Sequence, residues 1–242
     1  MAKPIVQLEG VTKDYGQGDV VVHAVRGVDL QIPAGSLVAI AGPSGSGKTT
    51  LLNLVSGLDK PTKGRIYVDG QEVTAMSRSQ LSRLRSRRIG FVFQSYNLLP
   101  VLTAYENAEY VLLLQGVPAA ERKKRVLAVL AQVGLAGLEK RYPRELSGGQ
   151  QQRVAIARAG AAQPALVLAD EPTANLDSKT AGALLDLMAE LTEEQGVTFI
   201  FSTHDQRVMK RAKRLILLVD GKIAYDGPPE GAKDALDAEV AA

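Results

Sequence analysis

Two groups of residues in this chain have the types and spacing to do phosphate chemistry. Gly42-Pro43-Ser44-Gly45-Ser46-Gly47-Lys48-Thr49 follows an apolar run, Leu37-Val38-Ala39-Ile40-Ala41, and precedes a segment carrying Leu51, Leu52, Leu54 and Val55. Glycine at 42, 45 and 47 lets the backbone curl so that its N–H groups converge on phosphate oxygens, and a helix opening there adds partial positive charge. Lys48 would reach the outer phosphates, and the Thr49 hydroxyl would reach a magnesium ion. An ordinary glycine-rich turn needs neither the Lys-Thr pair nor the strand before it. The second group is Asp170-Glu171, directly after Leu166-Val167-Leu168-Ala169. That run sets Asp170 at the carboxyl edge of a buried strand, where an acid can hold magnesium, usually through water. Glu171 is then placed to act as general base on an attacking water. The competing reading of Asp-Glu-Pro-Thr, a turn and a helix cap, loses weight beside a phosphate loop.

A third stretch discriminates among nucleotide hydrolases. Leu146-Ser147-Gly148-Gly149-Gln150 runs on into Gln151-Gln152-Arg153-Val154-Ala155-Ile156-Ala157-Arg158 and makes a second anion cradle at a helix start. Many helices begin Ser-Gly, so the stretch alone is a weak cue. The order is not weak: phosphate loop, Gln94 after a strand, this stretch, the acidic pair, Asn175-Leu176-Asp177, then His204 after Phe201-Ser202-Thr203. In that order, and over essentially its whole length, the chain resembles the ATP-binding cassette (ABC) ATPases. The resemblance implies ATP and Mg2+, with Gly42 through Thr50 around the phosphates and Thr49, Gln94 and Asp170 at the metal. It implies that Tyr15 stacks on adenine and that Lys48, Glu171 and His204 are catalytic, His204 clamping the γ-phosphate. It further implies that Ser147, Gly148, Gly149, Gln150 and Asp177 serve a site completed by a second ATPase subunit. Two identical chains stacked head to tail would be two-fold symmetric, closing on ATP and opening after hydrolysis.

Finer details resemble one branch of that family, the one pairing with lipoprotein-release, macrolide-export and antimicrobial-peptide-resistance permeases (LolD/MacB-like). They are His23-Ala24-Val25-Arg26-Gly27-Val28, the stretch from Leu51 to Asp59, and IGFVFQSYNLLP from Ile89 to Pro100. Leu102-Thr103-Ala104-Tyr105-Glu106-Asn107 fits a surface receiving a permease's coupling helix. The branch implies an integral-membrane permease contacted between Gln94 and Asn107, and a peripheral position on the cytoplasmic face of the inner (plasma) membrane. Gly160 departs from the family, which commonly has leucine there, and is expected to loosen its helix.

The elements that must position these groups alternate along the chain. Val28, Leu30 and Ile32 alternate with Asp29 and Gln31, the period of a half-buried strand, while 37–41 is a continuous apolar run typical of a buried parallel strand, and the buried-strand pattern resumes at 166–169 and 197–202. Asp69-Gly70 and Asp220-Gly221 mark hairpins. Residues 95–162 have helical spacing, punctuated at Pro100, Gly116 and Gly134. The expectation is an α/β fold: a P-loop NTPase (RecA-like) parallel core, an amino-terminal antiparallel subdomain and an inserted helical subdomain. Residues 1–242 form a single domain, with 1–94 and 163–242 as catalytic core and 95–162 as the helical unit. The tail after Pro229 is expected to be a short surface helix.

Composition narrows the alternatives. Of 242 residues, 45% are hydrophobic and 23% charged, ordinary values for a globular protein. No cysteine is present, which excludes disulfides and thiolate chemistry, and with only His23 and His204 supplying imidazole the composition argues against a multi-histidine metal centre. The net charge of +3 gives no reason to expect a nucleic-acid partner. No apolar run approaches the roughly 18 residues of a membrane span, and the amino terminus lacks a signal-peptide core, so transport would need a separate membrane subunit. Two basic stretches, Arg78 to Arg88 and Arg122 to Arg125, read better as solvated helix faces than as lipid contacts. A transporter ATPase is preferred. An ATPase driving a non-transporting envelope or cell-division complex stays open. A soluble ABC ATPase acting on DNA or ribosomes is disfavoured, for lack of a long coiled-coil insert or a second cassette.

Overall fold

The structure, a computed structural model, describes residues 4–17 and 20–232. Alternating apolar residues near the amino end build two long antiparallel strands, β1 (Pro4–Gln17) and β2 (Val20–Pro33), before the fully buried β3 (Leu37–Ala41). Helix α1 (Lys48–Val55) follows. Strands β4 (Lys63–Val68) and β5 (Gln71–Glu72) then complete a four-stranded antiparallel sheet ordered β2-β1-β4-β5. Asp69 and Gly70 turn between them at φ of 50° and 72°, the left-handed pair such a hairpin requires.

The remaining strands, β6 (Ile89–Val92), β7 (Leu166–Ala169), β8 (Thr198–Thr203), β9 (Arg214–Val219) and β10 (Lys222–Gly227), join β3 in a six-stranded sheet ordered β10-β9-β3-β8-β7-β6. Every pairing in it is parallel except β10 with β9. The expected parallel core is therefore present, closed at one edge by the Asp220-Gly221 hairpin. Strand β8 stands between β3 and β7, so the phosphate loop and the acidic pair leave one sheet edge with the end of β8 between them.

Helix α2 (Arg78–Arg88) precedes β6, and α3 (Ala104–Leu114), α4 (Ala119–Gln132) and α5 (Gly148–Gly160) lie between β6 and β7. Helices α6 (Ser178–Gln195) and α7 (Gln206–Met209) flank β8. Successive strand residues feed opposite layers. Val38, Ile40, Leu168 and Ile200 pack with Leu51 and Leu54 of α1, while Ala39, Val167, Phe199 and Phe201 face α5 and α6. Burial on both faces is what a continuous apolar run demands. The second cluster continues through Ile156 of α5 to Leu112 of α3 and Leu130 of α4, so the helical unit shares its core with the sheet. Each such fully buried aliphatic side chain contributes roughly 1.5–3 kcal/mol.

Gly160 is the last residue of α5, and a Cβ there would meet only Val129, at 3.5 Å. Ala161 follows as the C-cap, its N–H donating to Ala157 O. In the tail, Pro229–Ala232 form a 3-10 turn, and the rest of the expected surface helix lies outside the described residues, as do residues 1–3. Of the basic stretches, Arg78, Arg83, Arg87 and Arg88 are exposed, as are Lys123 and Lys124, whereas Arg122 and Arg125 pair with Glu109 and Glu121 at 2.8 and 2.7 Å. Among the described residues no helix is long and apolar enough to cross a membrane.

Candidate functional site

The phosphate loop curls where its glycines permit. Gly42, Gly45 and Gly47 have φ of 147°, 82° and 100°. At Gly42 a Cβ would overlap the Leu218 carbonyl oxygen, and at Gly47 that of Ala24, so these two glycines admit close backbone approach as well as an unusual φ. Helix α1 begins at Lys48 with Gly47 as its N-cap, no side-chain cap and no acid in its first turn. Its first N–H groups therefore remain free of side-chain acceptors. Lys48 Nζ donates to the carbonyls of Gly42 at 2.8 Å and Pro43 at 2.7 Å, spanning the loop. Burial lowers the pKa of this ammonium, against the opposing pull of Glu171 and Asp170.

The acids stand opposite. The Asp170 N–H donates to Val92 O at 2.9 Å, fixing the end of β7 against β6. Thr49 Oγ1 donates to the Asp170 carboxylate, 3.1 and 3.0 Å from its two oxygens. A hydroxyl and a carboxylate thus converge at one place, and such hard oxygen donors fit magnesium. Glu171 adopts φ 45°, a left-handed conformation costing a side-chain-bearing residue about 1–2 kcal/mol. His204 Nδ1 lies 2.9 Å from Glu171 Oε1. The sequence reading passed over Ser202, whose hydroxyl donates to Asp170 Oδ1 at 2.6 Å and accepts from the Glu171 N–H at 2.9 Å.

These groups face an open cleft of about 1210 Å³ that also takes in Thr50, Gln94 and Tyr15. Of the expected phosphate-loop residues, Pro43, Ser44, Gly45, Gly47, Lys48 and Thr49 line it. Gly42 and Ser46 are buried behind it, and Ser46 O accepts from Gly221 N–H at 3.1 Å. Tyr15 closes the far side on β1. The residue is 40% exposed, with Lys13 Nζ 4.7 Å from its ring centroid and its hydroxyl donating to Asp59 Oδ2 at 2.7 Å. Lys13 donates to the other Asp59 oxygen at 2.7 Å. Burial raises the Tyr15 phenol, reinforced by Asp59, while burial pushes Asp59 upward and the hydrogen bonds from Lys13 and Tyr15 more than offset it. Val22, His23, Arg26 and Asp220 also line the cleft, though the sequence did not point to them as site residues.

The signature stretch is elsewhere. Ser147 caps α5 in a capping box: its Oγ accepts from Gln150 N–H at 3.3 Å, and Gln150 Oε1 accepts from Ser147 N–H at 2.9 Å. Asp177 caps α6, accepting from the N–H groups of Lys179 and Thr180, each at 3.0 Å, and from the Thr180 hydroxyl at 2.6 Å. The two caps abut, since a Cβ on Gly149 would overlap the Thr180 side chain and one on Gly148 would lie 2.8 Å from Tyr96 Oη. Ser147, Gly148, Gly149, Gln150 and Asp177 therefore form a group of their own, outside the cleft.

Gln94 links the two groups. Its carbonyl accepts from Asn175 Nδ2 at 2.9 Å, and Arg158 of α5 donates to the carbonyls of Tyr96 and Asn97, whose φ values are 58° and 48°. Beyond them, Asn107 is buried, not on the surface. Its side chain donates to Leu99 O, Leu102 O and Thr103 O at 3.0–3.1 Å and accepts from Leu99 N–H. It shapes the loop from within, leaving Leu99, Val101 (78% exposed), Leu113 and Leu114 (68%) outward.

Residues 25–174 match the family model described as ABC transporter. The chain is 48% identical over 94% of its length to the lipoprotein-releasing system ATP-binding protein LolD of Anaeromyxobacter dehalogenans, covering 96% of that protein. It is 47% identical over 93% of its length to the macrolide export ATP-binding/permease protein MacB of Hyphomonas neptunium, of which it spans 35%. A solved dimeric ATP-binding cassette from Methanocaldococcus jannaschii, in a post-hydrolysis state bound to ADP and Pi, is similar with a TM-score of 0.85 and 43% identity, over 93% of this chain and 98% of that one.

Proposed function

Because the chain belongs to the ABC transporter family, we propose that it is the ATP-binding and ATP-hydrolysing subunit of a transporter, closing with a second copy of itself around ATP to drive a separate membrane permease. The observation that carries this reading is the convergence of Lys48, the Thr49–Asp170 pair, Glu171 and His204 on one cleft at the uncapped start of α1.

The phosphates of ATP sit against the loop N–H groups and the start of α1, and Lys48 exchanges its carbonyl partners for phosphate oxygens. Thr49, Asp170 and Gln94 would hold Mg2+, which would neutralise charge on the outer phosphates. Glu171 takes the proton of a water attacking the γ-phosphorus as the bond to the ADP oxygen breaks. His204, hydrogen-bonded to Glu171, holds that carboxylate and reaches the γ-phosphate. Tyr15 supports the base. Ser147, Gly148, Gly149, Gln150 and Asp177 face ATP held by the other subunit, which explains why they form a separate group. Ser147 Oγ accepts one N–H, so its own proton stays available to an anion. Residues 1–94 and 163–242 act as the catalytic core, and 95–162 as the unit that passes its movement on.

The permease docks between Gln94 and Asn107, on Leu99 and Val101, with the exposed residues of α3 beside them. The chain thus sits at the cytoplasmic face of the inner membrane, and no nucleic acid is involved. LolD, named as part of a lipoprotein-releasing system, and MacB, named as a macrolide exporter with its own permease, support this branch. Glu171→Gln protein with ATP, used to capture partners from detergent-solubilised membranes, recovers a polytopic permease if the reading holds. Recovery of ribosomes or nucleic acid without a membrane protein overturns it. The purified wild-type chain releases phosphate from ATP, and the Glu171→Gln protein does so far more slowly.

A further inference from the structure

We propose that Ser202 is a positioning residue that locks the two acids of the site into one rigid unit. The inference rests on Asp170 and Glu171 having the roles given above. Strand register puts Ser202 there. In the parallel pairing of β7 with β8, Ala169 lies opposite Phe201, so the next residue on each strand brings Asp170 beside Ser202. Both continue the alternation of Leu168 and Ile200, whose side chains pack with α1, and therefore project toward the phosphate-loop layer. Apolar burial at 200 continues into a hydroxyl at 202, and Ser202 is fully buried.

A buried hydroxyl has one proton to give, and here Asp170 Oδ1 takes it at 2.6 Å. The oxygen's lone pairs are then left to accept the Glu171 N–H at 2.9 Å. The directions are fixed: Glu171 N–H to Ser202, and Ser202 O–H to Asp170. One consequence concerns Asp170. Ser202 holds Oδ1 while Thr49 Oγ1 lies 3.1 and 3.0 Å from Oδ1 and Oδ2, so hydroxyls from β8 and α1 hold the carboxylate between them. The other concerns Glu171, whose left-handed φ of 45° is costly for a residue with a Cβ and needs a local bond to hold it. The Ser202 oxygen supplies that bond and sets the direction of the carboxylate that meets His204.

The test compares Ser202→Thr with Ser202→Val, which share an added methyl and differ in the hydroxyl, and uses Ser202→Ala as the smaller hydroxyl-free variant. Two readouts are taken: hydrogen exchange at the Glu171 amide in nucleotide-free protein, and steady-state ATP hydrolysis. Val and Ala at 202 are expected to speed exchange at that amide and to lower kcat, each by about 10-fold, leaving the KM for ATP unchanged, while Thr keeps wild-type values. Equal losses in Thr and Val, or a hydroxyl-free variant within about twofold of wild type in both readouts, overturn the proposal. Failure of the underlying site reading looks different. In that case Glu171→Gln hydrolyses ATP at the wild-type rate, whatever the exchange at residue 171 shows.

Discussion

Two helices in this molecule begin with small, flexible residues after an extended segment, and they finish their first turns in opposite ways. Helix α1 starts at an N-cap glycine in the left-handed region, with no side chain bonded to its first N–H groups. Helix α5 starts at Ser147 and closes on itself through the reciprocal bonds of Ser147 and Gln150. Beside its own Lys48, the start of α1 meets two acids and a histidine that follow β7 and β8. Around α5 the fold gathers the cap of α6 and Tyr96. The difference teaches that a glycine-rich helix start is a site only to the extent that other elements aim groups at it. Under the proposed function the first becomes one half of an active centre, and the second a surface that another molecule completes.

Substitutions should separate the two ends. The largest effect is expected from Glu171→Gln, which lowers phosphate release about 100-fold or more while ATP still binds, measured by turnover alongside equilibrium binding. Lys48→Ala removes charge-assisted bonds from the α1 end and should weaken ATP binding by the single chain about 10- to 100-fold, read by titration calorimetry. Ser147→Ala acts at the other end. Loss of the cap costs about 1 kcal/mol, which lowers Tm by about 2–4 °C, and hydrolysis falls while single-chain ATP affinity stays unchanged. An affinity that falls together with Ser147 would merge the two ends and end the comparison.

The smallest effect concerns Asp59, which steadies Tyr15 at the rim of the α1 cleft. Asp59→Asn should weaken ATP binding about two- to fivefold. Its carboxyl is held below the ordinary value of 3.8, so its contribution is fully present above that value and is lost as pH falls through the lower folded-state value. The stability difference between wild type and Asp59→Asn should stay flat from neutral pH down to about 5 and close only below about pH 4. Denaturation followed across pH checks this directly.

Much of the α1 end was legible in the sequence because its chemistry is local. Gly47, Lys48 and Thr49 are neighbours, and an apolar run before Asp170 is enough to put an acid at a strand end. Both Asp-Gly hairpins and the helical insert follow from short-range turn chemistry and periodicity in the same way. What escaped depends on partners distant along the chain. Ser202 matters because β8 lies beside β7, and Asp59 matters because Lys13 and Tyr15 reach it from β1. Asn107, read as surface, is buried because three backbone carbonyls fold around its amide. Gly42 and Ser46 belong to the motif yet sit behind it, since the returning β9–β10 hairpin covers them.

That hairpin has a consequence in time. Strand β3 finds its sheet neighbours only in β8 and β9, and the loop that follows it is clasped by Ala24 on one side and by Leu218 and Gly221 on the other. As the chain leaves the ribosome, β3 stays without either neighbour until the helical unit and β7 have been made and β8 follows. The antiparallel sheet can pair much sooner, because β1, β2 and β4 all lie near the amino end. The nucleotide site thus forms later than the antiparallel sheet. A chain cut before residue 198 would carry the complete phosphate-loop motif and still lack the two strands that give it a shape.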